Sequence, residues 1–275
     1  MRNVLFLGVI ALAAGCKAPP EAPTELNELS LYLFANYDAE DEEVVAVGVQ
    51  NLDAFLATQD FTAENINDRS ATLSVLDGVN LGTVVPTPDA DPALQENVAG
   101  WALSPVPFAT HLEGISDPNQ VCAASDSTKY SMRTFVTDLP AWEAGDSRTL
   151  ATTNESRTES PVADVWMDST ADFRRVALED GREVVISRGV LPERAIADNP
   201  DKSWDQRYTI DVWIPSTDGA STERYYAMWS SATIGVGSLY AGLVKGGIDE
   251  YFVNTDDWFL NAECHTDRDR VNDRP

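Results

Sequence analysis

The sequence predicts an α+β fold in which an N-terminal helical hairpin precedes an antiparallel β-sheet covered by a C-terminal helix. Before residue 60, apolar residues recur every three or four positions, which is the helical period. In the second half they alternate with polar residues, and helical spacing returns after Gly247. The chain has 275 residues, of which 43% are hydrophobic and 23% charged, a composition typical of a globular protein.

Two helices are predicted within residues 24–60. Thr24 is a candidate N-cap for the first helix. The second follows an acidic run at residues 38–43, whose negative charge suits the N-terminal end of a helix dipole. The apolar positions of the two helices are Leu26, Leu29, Leu33, Tyr37, Val45, Val49, Leu52 and Leu56. Their spacing gives each helix one apolar face and so predicts a hairpin.

Residues 61–125 are rich in Pro, Gly, Asn and Asp, which indicates loops with a few short strands. Residues 126–265 are predicted to hold the sheet and the closing helix. The strand candidates are residues 130–136, 163–167, 173–178, 184–188, 207–214 and 224–234. Asp180-Gly181 and the polar segment 216–221 are hairpin turn signals between neighbouring candidates. These segments and residues 24–60 are predicted to form one domain.

The helix after Gly247 carries Ile248, Tyr251, Phe252 and Phe259 at helical spacing, and we expect it to cover the apolar face of the sheet. Residues 266–275 alternate in charge with little apolar area and are predicted to be a disordered tail. The order of sheet and long terminal helix resembles the helix-grip fold of START-like carriers of lipids and hydrophobic ligands. The resemblance rests on element order, and the long N-terminal hairpin and central loops depart from it.

The N-terminus has the pattern of an export signal. A short apolar run follows Arg2 and ends in Ala13-Ala14-Gly15-Cys16, which resembles the lipobox of bacterial lipoproteins, although Ala13 stands where Leu is commonest. The resemblance implies that residues 1–15 are a signal peptide, that Cys16 carries acyl chains such as palmitate, and that residues 16–23 are a Pro-rich tether. Lys17 implies sorting to the outer membrane, facing the periplasm or the surface. The alternative is an ordinary cleaved signal with an incidental cysteine.

Two cysteines remain, Cys122 and Cys264, and an even number in an exported chain predicts a disulfide. Closing so long a loop is worth ~5 kcal/mol in the chain-entropy model. Two separate buried thiols are the alternative.

The charge and the absence of motifs exclude several functions. With 45 acidic and 19 basic residues the formal net charge is −26, which argues against nucleic acid as a partner. No catalytic or cofactor-binding motif is present, and His and Cys are too few for a zinc site. A partial calcium-loop pattern at residues 168–179 has Phe173 where glycine is needed. We therefore predict no cofactor and no metal, and a non-catalytic role is favoured.

Three functions remain, in order of preference. The first is an envelope lipoprotein, anchored to the membrane by lipid, that binds an apolar small molecule or lipid between sheet and terminal helix. Its candidate ligand-binding residues are Ile210, Val212, Tyr226, Met228, Tyr251 and Phe252. The second is a glycan-binding or protein-interaction module of the envelope. Its candidate aromatic residues, which would equally suit a packed sheet, are Trp213, Tyr225, Tyr226 and Trp229. The third is a carboxylate-dependent hydrolase, for which no catalytic residue is proposed.

Overall fold

The computed structural model describes residues 21–159, 163–234 and 240–265. The predicted signal peptide, Cys16 and the predicted tail 266–275 lie outside the described residues. Only residues 21–23 of the predicted tether are described. There the side-chain amide of Asn51 donates hydrogen bonds to the carbonyl oxygens of Ala22 and Pro23, at 2.9 and 3.0 Å. This end of the tether is therefore held against the second helix.

The described residues form nine strands and five α-helices. In chain order they are α1 (Leu26–Ala35), α2 (Glu42–Leu56), β1 (Ser70–Thr72), β2 (Glu96–Ser104), α3 (Phe108–Ser116), β3 (Thr128–Phe135), α4 (Leu139–Glu143), β4 (Thr149–Glu159), β5 (Asp164–Ala177), β6 (Glu183–Val190), β7 (Ala195–Ile196), β8 (Ser203–Pro215), β9 (Thr222–Thr233) and α5 (Tyr240–Asn261). Short 3₁₀ turns cover Ile66–Arg69, Gly78–Leu81, Pro92–Leu94 and Val121–Ala123.

All nine strands belong to one antiparallel sheet, in the order β1-β2-β9-β8-β6-β5-β4-β3, with β7 pairing beside β8. The predicted α+β class, with its helical hairpin and its sheet covered by a C-terminal helix, is confirmed. The predicted turn at Asp180-Gly181 joins β5 to β6, and Gly181 adopts a φ of +87°, a conformation that favours glycine.

The helical hairpin covers one face of the sheet. Leu29 and Leu33 of α1 and Leu52 and Leu56 of α2 are fully buried in a core with the sheet, and each such leucine contributes about 1.5–3 kcal/mol of hydrophobic free energy. Asp41 caps α2 by accepting the backbone N–H of Glu43. The predicted capping by Thr24 is not found, because α1 begins at Leu26 and no side chain of the flanking residue caps it.

Helix α5 covers the opposite face, where it packs mainly against β2. It starts at Tyr240, before the predicted start after Gly247. At Gly100 of β2, an added Cβ would lie 2.9 Å from Cγ2 of Ile248. Glycine at this position therefore lets the helix backbone come close to the sheet.

Three strand predictions need correction. Strand β2 crosses the segment that was expected to be mainly loops, and it pairs along its whole length with β9. Strand β4 was missed altogether. The two candidates at 163–167 and 173–178 are parts of one 14-residue strand, β5, which also contains the partial calcium-loop pattern up to Asp172.

Candidate functional site

A cavity of about 860 Å³ lies between α5 and the sheet face that α5 covers. This volume falls in the range of roughly 300–1,000 Å³ that is usual for small-molecule sites. Much of its wall is apolar. Side chains that form this part include Met167, Leu191, Trp204, Met228, Val244 and Ile248.

The cavity reaches a buried ionic cluster. Asp211 of β8 and Arg224 of β9 are 3% and 1% exposed, and Oδ2 of Asp211 lies 3.4 Å from Nη2 of Arg224. The hydroxyl of Tyr251 on α5 donates a hydrogen bond to the same carboxylate oxygen, at 2.6 Å. The cluster therefore joins two neighbouring strands to the covering helix.

The guanidinium of Arg224 is surrounded by aromatic rings. Its Cζ lies 4.5 Å from the ring centroid of Tyr251, 5.0 Å from that of Phe252 and 5.5 Å from that of Trp213. These distances are within the range of cation–π attraction. Its Nε and Nη1, and Oδ1 of Asp211, are buried and have no hydrogen-bond partner among the described residues. Since protein atoms enclose these groups, the cluster is stabilised by the ion pair, by Tyr251 and by the surrounding rings.

Burial controls the protonation of the cluster. It raises the pKa of Asp211 from 3.8 to about 6, although Arg224 and the hydrogen bond from Tyr251 both act to lower it. Burial also raises the pKa of Tyr251 well above its usual value of 10.0. The tyrosine is thus a permanent donor, whereas the carboxyl group changes its charge in a mildly acidic range.

A second guanidinium, that of Arg133 on β3, also lines the cavity. Its Nε donates to Oδ1 of Asn154 at 3.1 Å, its Nη1 donates to the carbonyl of Ile115 at 2.6 Å, and its Cζ lies 4.7 Å from the ring centroid of Phe173. Burial lowers the pKa of Arg133 to about 10, although electrostatic interactions with Tyr251, Asp117 and Asp211 act to raise this pKa. Arg133 therefore remains cationic at neutral pH.

His111 of α3 lies beside the cavity in an arrangement that does not suit nucleophilic catalysis. The hydroxyl of Ser104 donates to Oδ1 of Asp256 at 2.5 Å, and its oxygen lies 3.0 Å from Nε2 of His111. Since the serine hydrogen is directed to Asp256, Nε2 of His111 is the donor to Ser104 and is not available as its base. Burial, together with the charge of Arg224, lowers the pKa of His111 to about 2, so the imidazole is neutral.

The structure brings together only part of the predicted ligand-binding set. Tyr226, Met228 and Tyr251 line the cavity. Phe252 is buried beside Arg224 in the core between α5 and the sheet. The prediction that Ile210 and Val212 contact the ligand is wrong. Both lie on the other face of β8, in the core shared with the helical hairpin. Both faces of β8 are covered, and the more apolar one meets the hairpin.

The aromatic residues considered for a glycan surface do not form an exposed row. Trp213, Tyr225 and Trp229 are buried, and Tyr226 is half-buried within the cavity wall. Tyr225 shares a hydrogen bond with Ser30 of α1 at 2.5 Å, which ties it to the hairpin. The sheet-packing interpretation of these residues is the one that the structure supports.

The segment that follows the Val121–Ala123 turn lines the cavity and is fastened to the C-terminal part of the chain. The sulfur atoms of Cys122 and Cys264 lie at disulfide distance, 2.14 Å apart. Asn254 of α5 donates to the carbonyl oxygen of Ala124 at 2.7 Å, and Glu250 accepts the backbone N–H of Asp126 at 3.0 Å. The C-terminal half of α5 is thus fastened to the cavity rim.

Within the described ranges, no three His, Cys, Asp or Glu side chains are grouped as a metal site. No helix in the same ranges is both long and apolar enough to cross a bilayer.

Sequence reasoning missed Arg133, Asp211 and Arg224 as site residues. A usable signal existed for Asp211, which interrupts the apolar run from Tyr208 to Ile214 with one charge. An ionisable residue within a strand buried on both faces needs a partner, and so marks a polar cluster in the interior. Arg133 lies in a polar strand and carried no such signal.

No known protein family matches this sequence. No curated protein matches it either. The fold is similar to that of several solved structures. A STAR-related lipid transfer protein from Xanthomonas axonopodis is 13% identical, with 57% of this chain and 84% of that chain covered and a TM-score of 0.39. The lipid transfer and protein localization domain of human StarD13 is 10% identical, with 77% and 95% covered and a TM-score of 0.37. A protein from Thermus thermophilus is 12% identical, with 61% and 99% covered and a TM-score of 0.38.

Proposed function

We propose that this protein binds one apolar or amphipathic small molecule, such as a lipid, in the cavity between α5 and the sheet. The observation that carries the proposal is the cavity itself, about 860 Å³ in volume, with aliphatic and aromatic side chains over much of its wall and a buried polar cluster. An apolar wall of this size offers a ligand the free energy of leaving water. Polar groups of the wall, such as the guanidinium of Arg133, fix its orientation.

A carrier or sensor role suits this site better than catalysis. Asp211 is the single buried carboxylate among the described cavity-lining residues, so the pair expected of a carboxylate-dependent hydrolase is not assembled there. His111 is neutral and acts as a donor to Ser104.

Native mass spectrometry of protein purified from its own cells tests the proposal. We expect a non-covalent adduct that organic extraction removes, and saturable binding of the fluorescent probe 1-N-phenylnaphthylamine by the extracted protein. If neither adduct nor saturable probe binding is found, the proposal is wrong.

Neighbouring residues of β4 provide a matched pair of variants. Ser156 lines the cavity, whereas Glu155 points to the other face, in register with Met132 and Asp168. Ser156→Trp should fill cavity volume and reduce probe binding, and Glu155→Trp should leave binding unchanged. Equal effects of the two substitutions would show that the probe binds elsewhere.

We also propose that the protein is a lipoprotein of the cell envelope, anchored in the outer membrane through acyl chains on Cys16. The lipobox-like sequence and the pair of cysteines at disulfide distance support an exported protein. Mass spectrometry of the N-terminal peptide of the native protein should show residue 16 first, with its sulfur acylated. Cys16→Ser should release the protein from the membrane fraction, whereas an N-terminus elsewhere would refute the anchor.

A further inference from the structure

The lining of the cavity is balanced in charge, although the molecule as a whole is strongly acidic. The chain has 45 acidic and 19 basic residues. Among the charged cavity-lining side chains, the acidic Asp126 and Glu159 are exposed at the surface, and Glu250 is held at the rim by Asp126. Asp211 is the one buried carboxylate of the described lining. Four cationic side chains of the described residues line the cavity, namely Lys129, Arg133, Arg207 and Arg224.

We propose that the natural ligand is a long-chain monocarboxylate, whose carboxylate binds the guanidinium of Arg133 and whose alkyl chain lies among Met167, Leu191, Trp204 and Met228. This inference rests on the proposed binding function and names the ligand class. A carboxylate fits because its two oxygens can each accept from the fork of donors on a guanidinium group.

Arg133 gives the cavity wall a positive charge that no described carboxylate contacts directly. Arg224 is paired with Asp211, whereas Arg133 forms no ion pair with a carboxylate of the described residues and donates to Asn154 and Ile115. Asp117 attracts Arg133 but accepts the backbone N–H of Asn119 at 2.7 Å and does not line the cavity. Arg133 is partly buried, and a monoanion bound beside it would form the missing ion pair.

The donors of Arg224 do not themselves reach a ligand. Its Nε and Nη1 are enclosed by protein atoms, with the rings of Tyr251 and Phe252 against the guanidinium. A ligand carboxylate would instead accept from the guanidinium of Arg133, which lines the cavity. A ligand without charge would leave Arg133 without a counter-ion, so the site discriminates by charge as well as by apolar area.

Another guanidinium without a carboxylate partner among the described residues provides the control. Arg207 also lines the cavity, but it acts electrostatically on Tyr226 and Tyr240, near the start of α5. Arg133→Gln and Arg207→Gln remove the same charge from the same cavity. Only the first substitution should affect recognition of the anionic group.

The experiment uses delipidated full-length protein and three probes with the same chain, namely oleate, oleyl alcohol and methyl oleate. Binding is followed by the fluorescence of the cavity tryptophans at pH 8. We expect oleate to bind at least roughly tenfold more tightly than the two uncharged probes, the effect of one charge-assisted hydrogen-bond pair. Arg133→Gln should abolish this preference without weakening the binding of oleyl alcohol. Arg207→Gln should retain the preference for oleate.

A second variant keeps the test decisive if Arg133→Gln fails to fold. Asn154→Asp places a carboxylate at the side chain that already accepts from Arg133, which retains the contact and neutralises the charge. This substitution should weaken the binding of oleate and leave the binding of oleyl alcohol unchanged. Equal binding of all three probes by the wild type, or loss of the preference in Arg207→Gln alone, would overturn the inference and leave the binding function standing. Failure of all three probes to bind would also overturn the inference, whereas the binding function is refuted only if the native adduct and the binding of 1-N-phenylnaphthylamine are absent too.

Discussion

Tyr251 of α5 donates its hydroxyl hydrogen to Oδ2 of Asp211 on β8, at 2.6 Å, inside the cavity. The bond connects the covering helix to the middle of the sheet. Asp211 is buried, and its other carboxylate oxygen has no partner among the described residues, so this donor is one of few that stabilise its charge.

Tyr251→Phe should lower the free energy of unfolding by about 2 kcal/mol at pH 8, the value expected when a buried charged group loses a hydrogen bond. Urea denaturation measures the change. Tyr130→Phe, at a half-buried residue on the outer face of β3, is the control and should change stability little. Equal losses in the two variants would mean that the bond to Asp211 contributes nothing.

The protein should lose far more stability when one member of the pair of Asp211 and Arg224 is replaced than when both are replaced. Arg224→Met leaves a buried carboxylate without its counter-ion, and we expect a loss of about 3–5 kcal/mol. Adding Asp211→Leu should recover much of that loss, because two apolar side chains then fill the interior. A double-mutant cycle from urea unfolding measures the coupling, and strict additivity of the two changes would contradict it.

The elements with a strong apolar pattern were predictable from the sequence. Val45, Val49, Leu52 and Leu56 repeat at helical spacing, and all four are buried under the sheet. Strand β4 was not predictable, because one of its faces lines a polar part of the cavity and the other is largely uncovered by helices. Its sequence is accordingly Thr- and Ser-rich and carries no alternation of apolar residues.

The candidate site was only partly predictable, for a related reason. Alternation along β8 separates Ile210 from Asp211, but it does not say which of the two covering layers each face meets. The most apolar face was assigned to the terminal helix, and the hairpin covers it instead. A cavity needs less apolar area on its wall than a packed core does, so the more polar face of the strand is the one that lines it.

The link between Cys122 and Cys264 should contribute substantially to stability. It joins residues separated by 142 positions, and the chain-entropy model gives ~5 kcal/mol for such a loop. We expect Cys122→Ser combined with Cys264→Ser to unfold at clearly lower urea, with faster hydrogen exchange in the last turns of α5. Reduction should lower the wild-type midpoint to a similar value and leave the double variant unchanged. A wild type insensitive to reductant would support the alternative of two thiols.

His111 and Asp211 should give opposite pH dependences, which makes them a test of the buried cluster. The folded-state pKa of His111 is lowered from 6.5 to about 2 by burial and by Arg224, so below pH 6.5 the unfolded chain binds a proton that the folded chain does not. Stability is then lost as the pH falls, on the order of 1.4 kcal/mol per pH unit. His111→Gln removes this loss and keeps a donor for Ser104. Its stability relative to the wild type should therefore rise as the pH falls from 7 to 4.

Asp211 should make stability depend on pH in the opposite direction, because burial raises its folded-state pKa from 3.8 to about 6. Between these values the folded protein binds more protons than the unfolded chain, so its contribution to stability falls as the pH rises from 4 to 6. Asp211→Asn lacks this contribution, and its stability relative to the wild type should rise with pH over the same window. The two groups oppose each other between pH 4 and 6, so the wild-type profile alone cannot separate them. Urea unfolding of wild type and both variants at half-unit pH steps does, and three parallel curves would show that neither group has a shifted pKa.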